Sequence, residues 1–338
     1  MILVTGGSGF VGAHLLYRLV KEESMTIRAL KRSHTDLSVC KSIFSYYTSN
    51  VDSLFSKIEW VDGDLLDVEA LIDALEGVEY VYHAAAVVSF NSSRKKEVVE
   101  VNQKGTANLA DLSRQMGVKK FCFVSSIAAL GSELNGIEVT EESSWKPTDS
   151  HSTYSISKFW AEMEVWRASR EGLNVVVVNP SVIVGAGSWS RGSSKFFPTV
   201  YKGLSYYGKG GVGFVGVEDV VRSMTLLMKS SIENERFVLN SQNMNYREFL
   251  TAIANGLKVK APQKVLTPFI GRLAWQISYL LSKITRKEPL VTRESIATSF
   301  KTSAYNSNKV KEKLEFEFTP IHQVIEESCK LYLTDLKR

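Results

Sequence analysis

The sequence predicts an α/β protein in which a doubly wound parallel sheet is joined to a smaller C-terminal α/β domain. Short apolar runs alternate with helix-period segments through the first half, which is the pattern of a parallel sheet covered by helices on both faces. After Pro180, glycines crowd the sequence and this alternation is lost. A chain of 338 residues has room for a second unit, because single cores stop growing at roughly 250 to 300 residues.

The elements can be assigned in chain order. Predicted helices begin near Gly9, Val68, Glu97 and Ser152, and Gly117 ends the third of them. Seven apolar runs are predicted strands, at residues 2–4, 26–30, 58–61, 80–83, 120–125, 175–179 and 236–240. Two domains are predicted. A dinucleotide-binding domain with the main sheet is formed by residues 1–180 and parts of 213–240, and a smaller substrate-binding domain is formed by residues 181–212 and 241–338.

Charge and cysteine content exclude several classes of protein. The net charge of +5 is small and the basic residues are scattered, so nucleic acid is not an expected partner. Cys40, Cys122 and Cys329 are odd in number and lack ligand spacing, which indicates neither a disulfide framework nor a metal site. These cysteines fit a reducing cytoplasm, which is the expected location. The first apolar segment leads straight into glycines, so we expect no signal peptide.

Residues 268–284 predict an amphipathic helix. One face of this helix is apolar and consists of Phe269, Leu273, Ile277, Leu280 and Ile284. The other face is polar and consists of Arg272, Gln276, Tyr279 and Lys283. The polar residues argue against a transmembrane helix, which needs roughly 20 mostly apolar residues. The favoured interpretation is a helix that packs on its own domain. A wall for an apolar substrate and a contact with a membrane surface stay open.

The stretch "TGGSGFVG" directly follows the first predicted strand and opens a predicted helix. Gly6 allows a tight turn, Gly9 lets the backbone approach a pyrophosphate, and Gly12 lets the helix pack close to the strand. The helix N-terminus favours an anion through its free N–H groups. The residues predicted to contact a dinucleotide here are Thr5, Gly6, Gly9, Phe10, Val11 and Gly12.

Basic residues follow the second strand, in "IRALKRSHTD", where an acidic residue would bind the ribose 2′-hydroxyl. Arg28, Lys31 and Arg32 precede the first acid, Asp36. Cations at this place match a 2′-phosphate, and the guanidinium of Arg32 offers a planar donor fork. The sequence therefore favours NADP over NAD, with Arg32 on the phosphate.

The spacing of "TGGSGFVG", with Thr5 in front, resembles the extended branch of the short-chain dehydrogenase/reductase superfamily, the NAD-dependent epimerase/dehydratase family. Within that family the chain is most similar to the dihydroflavonol 4-reductase and 3β-hydroxysteroid dehydrogenase-like group. The resemblance implies a Rossmann sheet and a nicotinamide cofactor.

The resemblance also implies a catalytic constellation. In "FVSSIAALG" the catalytic hydroxyl falls on Ser126, with Ser125 ranked second, and "TYSISK" supplies Tyr154 and Lys158. Tyr154 and Lys158 are four apart and share one face of a helix. Since a phenol has a reference pKa of roughly 10, we expect the nearby ammonium and a cationic nicotinamide to lower the pKa of Tyr154. Tyr154 then exchanges a proton with the substrate, and Lys158 binds the nicotinamide ribose.

Further cofactor contacts follow from the same resemblance. Asp64 is expected to bind the adenine amino group and Leu65 to cover the ring, while Asn102 fixes the backbone near the site. The residues expected along the ribose and the nicotinamide are Ala84, Ala85, Ala86, Ser125, Pro180, Ser181 and Ile183. Many relatives have Arg where this chain has Asn179, which weakens detailed transfer of roles.

The function expected from these motifs is an NADP-dependent oxidoreductase that moves a hydride between nicotinamide and an alcohol or carbonyl carbon of an apolar small molecule. A nucleotide-sugar epimerase would use the same residues, and Arg191, Lys195 and Lys202 offer cations for a diphosphate. A dinucleotide-binding protein without turnover is the third alternative. Relatives often pair through the helices near Asn102 and Tyr154, so a homodimer stays open.

Overall fold

The computed structural model describes residues 1–88, 94–131, 133, 137–146, 151–285 and 292–337. The strands are β1 (Ile2–Thr5), β2 (Ile27–Lys31), β3 (Ile58–Asp62), β4 (Tyr80–His83), β5 (Lys120–Val124), β6 (Val175–Pro180), β7 (Val182–Val184), β8 (Tyr206–Tyr207), β9 (Gly211–Gly216), β10 (Glu235–Leu239), β11 (Gln242–Asn245) and β12 (Lys264–Val265). All seven predicted strands are confirmed, with ends within about two residues.

The helices of the described residues are α1 (Phe10–Glu22), α2 (Ser38–Ser45), α3 (Val51–Phe55), α4 (Val68–Leu75), α5 (Lys95–Val99), α6 (Gly105–Gln115), α7 (Thr153–Arg170), α8 (Phe196–Tyr201), α9 (Val217–Lys229), α10 (Tyr246–Gly256), α11 (Pro268–Thr285), α12 (Arg293–Phe300), α13 (Asn308–Leu314) and α14 (Ile321–Asp335). A π-helical turn, Glu100–Lys104, connects α5 to α6. Gly117 has φ +73° just after α6, which confirms it as the residue that ends this helix.

The main sheet is parallel throughout and has the strand order β10-β6-β5-β4-β1-β2-β3. Helices α1, α2 and α9 cover one face with one apolar cluster, and α4, α6 and α7 cover the other. This confirms the doubly wound Rossmann sheet. The direction of winding reverses between β1 and β4, so the crevice where such sheets bind ligands lies at the carboxyl ends of these two strands.

Later segments build a third apolar cluster, apart from the two that cover the main sheet. Strands β7, β9 and β11 form a three-stranded sheet, and β8 pairs with β12. Side chains of this sheet and of α8, α10 and α14 pack together, among them Phe214, Phe249 and Ile325. The predicted division into domains at Pro180 stays a prediction, and this cluster supplies the core that the smaller domain would need.

Helix α11 packs against α12, but not through the apolar face that the sequence predicts. Phe269 is 78% exposed, Leu273 49%, Ile277 51% and Leu280 61%, so this face is directed to solvent. The opposite side packs instead, because Gly271 and Ser278 are small enough for close contact. The side chains of Lys283 and Ile284 lie outside the described residues. No helix in the described part of the chain is long and apolar enough to cross a bilayer.

Candidate active site

The glycine loop has the backbone that its sequence predicts. Gly6 has φ +72°, a left-handed conformation that favours glycine, and a Cβ there would lie 2.5 Å from the backbone nitrogen of Ala85. A side chain on Gly12 would collide with the carbonyl of Gly6, so only glycine allows α1 to approach the strand this closely. Gly9 is the exposed N-cap residue of α1 and contributes no side-chain cap.

This loop fits a dinucleotide pyrophosphate. The 13-residue helix α1 begins directly after Gly9, which is exposed and has no side chain. A phosphate oxygen can therefore reach the first N–H groups of the helix. Thr5 is buried, and the aromatic ring of Phe10 packs against Gly185 and Gly187 after β7. Val11 is half-buried beside it.

The cations after β2 have different surroundings from one another. Arg28 donates to Glu59 at 3.0 Å and to the carbonyl of Ala74 at 2.9 Å, and Lys31 pairs with Asp62. These two cations are therefore held by β3 and the end of α4, which corrects the expectation that both surround a 2′-phosphate. Arg32 is exposed, and its charge helps to lower the pKa of Glu97, after the larger effect of Arg94.

Acidic side chains near the expected adenine site serve the local backbone. Asp64 accepts a hydrogen bond from the N–H of Leu66 at 2.9 Å. Leu65 is buried, and a Cβ on Gly105 would lie 2.7 Å from it, so its side chain packs against the start of α6. Asp36 accepts from the N–H of Ser38 at 2.8 Å, which lowers the pKa of its carboxyl.

The segment after β4 is fixed from two sides. His83 is fully buried; its Nδ1 lies 2.6 Å from Oγ1 of Thr5 and its Nε2 lies 2.9 Å from Oγ1 of Thr106. Thr106 donates its proton to the carbonyl of Asn102, so Nε2 of His83 carries the hydrogen and Nδ1 accepts from Thr5. Burial lowers the pKa of His83 to about 3, which keeps the ring neutral and structural.

Asn102 holds the other end of that segment. It lies in the π-helical turn, is buried, accepts from the N–H of Val87 at 2.7 Å and donates to the carbonyl of Val87 at 3.0 Å. It also donates to Oγ of Ser157 on α7 at 3.0 Å. Asn102 thereby ties the backbone beyond Ala84, Ala85 and Ala86 to the helix that carries Tyr154, as expected for a residue that fixes backbone geometry.

Ser126 and Tyr154 meet at the carboxyl end of β5. The side chain of Ser126 caps the short 3₁₀ turn Ile127–Ala129 by accepting from the N–H of Ala128 at 3.1 Å, and it is hydrogen-bonded to Tyr154. Burial raises the pKa of the half-buried Tyr154, and the hydrogen bond with Ser126 lowers it in part. In the protein alone, loss of hydration outweighs this hydrogen bond, and the lowering expected with a bound cationic nicotinamide stays a prediction.

Lys158 lies one turn after Tyr154 and is only 2% exposed. Its Nζ donates to the carbonyl of Val124 at 2.6 Å and lies 4.5 Å from the centroid of the Phe123 ring. Burial lowers the pKa of Lys158 to about 7, against the charge of Glu162, which raises it. At neutral pH the charged and neutral forms of Lys158 are therefore closely balanced.

A buried carboxylate behind this constellation escaped sequence reasoning. Glu162 is fully buried, and its four neighbours donate to both oxygens: Ser125 at 2.5 Å, Asn179 at 2.8 Å, Trp166 at 3.1 Å and Arg236 at 3.1 Å. Asn179 also donates to the carbonyl of Ser126 at 3.1 Å. Ser125 is thus occupied by Glu162, which leaves Ser126 as the hydroxyl that meets Tyr154.

The spacing of Glu162 was the available signal, since it follows Lys158 by four residues and shares its helix face. Arg236 could not be assigned, because it comes from β10 and also donates to the carbonyl of Glu141 at 2.8 Å. Asn179 stands where many relatives have Arg. In this structure the guanidinium that bonds Glu162 belongs to Arg236, on β10, the strand next to β6 in the sheet.

The segment after β6 leads from the main sheet into the three-stranded sheet. Pro180 is buried at the end of β6, and Ser181 donates its N–H to the carbonyl of Leu239 at 2.9 Å. The buried Oγ of Ser181 has no hydrogen-bond partner among the described residues, and its Cβ lies close to Gly213 in β9. Ile183 is half-buried, in β7.

Fold and site together define a dinucleotide-binding oxidoreductase. The family model for the NAD dependent epimerase/dehydratase family matches residues 2–239, and the chain belongs to that family. It is an NAD(P)-dependent enzyme, as the family and its reductase- and dehydrogenase-like relatives indicate.

Individual relatives agree with this placement. A Synechocystis sp. protein named "Putative dihydroflavonol 4-reductase" is 27% identical and covers 95% of this chain and 91% of its own length. The 3beta-hydroxysteroid-dehydrogenase/decarboxylase isoform 1 of Arabidopsis thaliana is 24% identical over 93% of this chain and 75% of its own. The crystal structure of gox2253 has a TM-score of 0.81 and 27% identity, over 99% of this chain and 98% of that one.

Proposed function

We propose that the chain is an NADP-dependent oxidoreductase that interconverts an alcohol and a carbonyl group on an apolar small molecule. The observation that carries this proposal is the hydrogen bond between Ser126 and Tyr154, with Lys158 one helical turn away. These groups lie at the carboxyl end of β5, near the glycine loop at the end of β1. The smaller unit, residues 181–212 and 241–338, is proposed to bind the substrate.

The three side chains divide the proton chemistry. A bound nicotinamide supplies or takes up the hydride at the substrate carbon. Ser126 donates a hydrogen bond to the substrate oxygen and holds it toward Tyr154. Because burial raises the pKa of Tyr154, its hydroxyl is protonated at neutral pH and can give its proton to that oxygen in the reducing direction. The reverse reaction returns the proton to the phenolate.

Lys158 supports this exchange. With a pKa of about 7, its ammonium can stabilise the phenolate left after proton donation. The ribose hydroxyls of the cofactor are its proposed further partners. Asn102, which joins the segment after β4 to α7, is proposed to keep Tyr154 at a constant distance from the cofactor. General acid–base catalysis of this kind typically contributes about 10²- to 10⁴-fold.

The names of relatives support an apolar substrate. A dihydroflavonol reductase and a hydroxysteroid dehydrogenase/decarboxylase, at 27% and 24% identity, both name hydrophobic ring compounds. The test of activity is NADPH oxidation with a panel of flavonoid and steroid ketones. Tyr154→Phe should lower kcat by at least about 100-fold, while Tyr80→Phe, a half-buried tyrosine at the amino end of β4, should leave it unchanged. Equal turnover by Tyr154→Phe and the parent would contradict the proposal.

The choice of NADP rests on Arg32, an exposed guanidinium just after β2. Arg32→Ala should weaken NADPH binding by about tenfold or more and leave NADH binding nearly unchanged, because only NADPH carries the 2′-phosphate. Lys57→Ala is the matched control: Lys57 is exposed just before β3, at the opposite edge of the sheet. Unchanged NADPH affinity in Arg32→Ala would remove Arg32 from the phosphate site.

A further inference from the structure

The exposed face of α11 is unusual for the surface of this protein. Phe269, Leu273, Ile277 and Leu280 are each about half exposed or more, from 49% to 78%. At 3.6 residues per turn, these four side chains fall within an arc of about 80°. Tyr279, 45% exposed, lies on the polar face of the helix, about 80° from the edge of the arc.

The other side of α11 holds the helix on the protein. A Cβ on Gly271 would lie 2.8 Å from the side chain of Ile296 in α12, so the two helices are in close contact there. Ser278, on the same side, is 9% exposed. The small residues thus face the protein and the large apolar ones face outward, which is the reverse of a helix that packs by its apolar side.

The stretch of chain that leads into and through α11 carries charge of one sign. Residues 249–287 contain seven Lys or Arg and no Asp or Glu. Since the whole chain carries +5, the remaining residues together carry −2. The side chains of four of the seven cations are described and all four are exposed, namely Lys258, Lys260, Lys264 and Arg272. Arg272 lies on α11 itself, next to the apolar arc.

An outward apolar arc with Arg272 on the same helix, in a stretch of chain whose charges are all positive, has the properties of a helix that lies in the surface of an anionic bilayer. The apolar side chains enter the acyl boundary and the cations meet lipid phosphates and carboxylates. We propose that α11 docks the protein on an anionic lipid surface through Phe269, Leu273, Ile277 and Leu280. This docking is separate from the proposed reaction and needs neither cofactor nor substrate.

The docked surface lies close to the catalytic helix. The N–H of Thr153, the first residue of α7, donates to the carboxylate of Glu294 in α12, which packs on α11. Tyr154 is the next residue along α7. Docking therefore brings the start of the Tyr154 helix near the lipid, where an apolar substrate would be concentrated.

Vesicle flotation of the full chain tests the proposal. The protein should float with vesicles of equal parts phosphatidylcholine and phosphatidylserine, and much less with phosphatidylcholine alone. Phe269→Ser with Leu280→Ser should reduce partitioning at least about tenfold. Leu226→Ser is the matched control, because Leu226 is a 40% exposed helical leucine on α9 and should have no effect.

The charge requirement is tested separately. Lys264→Gln and Arg272→Gln should each reduce binding to the anionic vesicles about fivefold, and added salt should act in the same direction. Thermal unfolding of each variant in the absence of vesicles should match the parent, so a loss of binding is not a loss of fold.

Several results would overturn the proposal. One is failure of the parent protein to float with anionic vesicles, and another is equal flotation of the parent and the Phe269→Ser/Leu280→Ser variant. Conversion of a dimer to a monomer by that variant, without vesicle binding by the parent, would assign the face to a second copy of the chain. A higher KM of the Phe269→Ser/Leu280→Ser variant, measured without vesicles, would assign the apolar face of α11 to the substrate pocket if the parent protein also failed to float with vesicles.

Discussion

Replacing Glu162 with Gln probes the buried support of the active site. The carboxylate is fully buried and accepts from Ser125, Asn179, Trp166 and Arg236 at 2.5–3.1 Å. A glutamine side chain would keep the shape, but its amide would turn an NH₂ group toward two of these donors. The guanidinium of Arg236, 25% exposed, would lose its ionic partner.

The cost follows from these contacts. Removing one member of a buried ion pair typically costs about 3–5 kcal/mol, and partial exposure of Arg236 favours the lower end of that range. We expect Glu162→Gln to reduce the free energy of unfolding in urea by about 3 kcal/mol, with an unchanged m-value. Glu164→Gln is the matched control on the same helix, because its ion pair with Arg167 is at the surface and is worth about 1 kcal/mol or less.

The same substitution should change catalysis in a way that lost stability alone would not. Glu162 raises the pKa of Lys158 against the effect of burial, while His83 and Tyr154 are the other titratable groups near that ammonium. Without the charge of Glu162, the pKa of Lys158 should fall further. If activity needs the ammonium, its loss with rising pH should begin at lower pH in Glu162→Gln, measured as kcat well below the unfolding temperature.

Two results would refute this reasoning. Equal unfolding free energies for Glu162→Gln and the parent would mean that the buried carboxylate does not hold Arg236 and the strand ends together. An unchanged alkaline limb of the kcat profile in a folded Glu162→Gln protein would separate Glu162 from Lys158. Glu162→Asp, which keeps the charge, should restore the position of the limb even where stability is lower.

Three further substitutions test other parts of the structure. Gly6→Ala should lower the free energy of unfolding in urea by about 2–4 kcal/mol and abolish cofactor binding. Gly77→Ala, where φ is nearly the same (+71°) but nothing lies within 4 Å of the added Cβ, should lower it by only about 1 kcal/mol, and equal losses in the two variants would contradict the close approach at Gly6. In the parent protein the free energy of unfolding should rise by about 1.4 kcal/mol per pH unit above pH 7, because the unfolded chain still binds a proton on Lys158 there and the folded protein, in which the pKa of Lys158 is about 7, does not. Lys158→Met should remove this rise, and parallel curves of stability against pH for the variant and the parent would refute the reasoning. Asn102→Ala should cost about 2–3 kcal/mol and lower kcat more than it raises KM, since the segment after β4 loses two hydrogen bonds; a pure KM effect would contradict a positioning role.

The parallel sheet could be predicted from the sequence because its signals are local. Each strand is a short apolar run, and the glycine loop must have its conformation wherever β1 is followed by α1. The same is true of Tyr154 and Lys158, whose spacing alone places them on one helix face.

Contacts between distant segments could not be predicted in this way. Arg28 and Lys31 looked available for a phosphate, but they stand opposite Glu59 and Asp62 in the register of β2 with β3. Only the strand pairing reveals those ion pairs. In α11 the amphipathic pattern was correct, but a pattern does not say which face meets the protein, and the small residues Gly271 and Ser278 decided it.

The most direct test of the central claim follows a deuterium label from NADPH carrying deuterium at C4 of the nicotinamide. With a ketone that the protein reduces, the account predicts that the label appears on the carbinol carbon of the product. Tyr154→Phe should bind NADPH normally but transfer the label at least about 100-fold more slowly. An unlabelled alcohol product, or equal transfer by Tyr154→Phe and the parent, would contradict hydride transfer at a site built from Ser126, Tyr154 and Lys158.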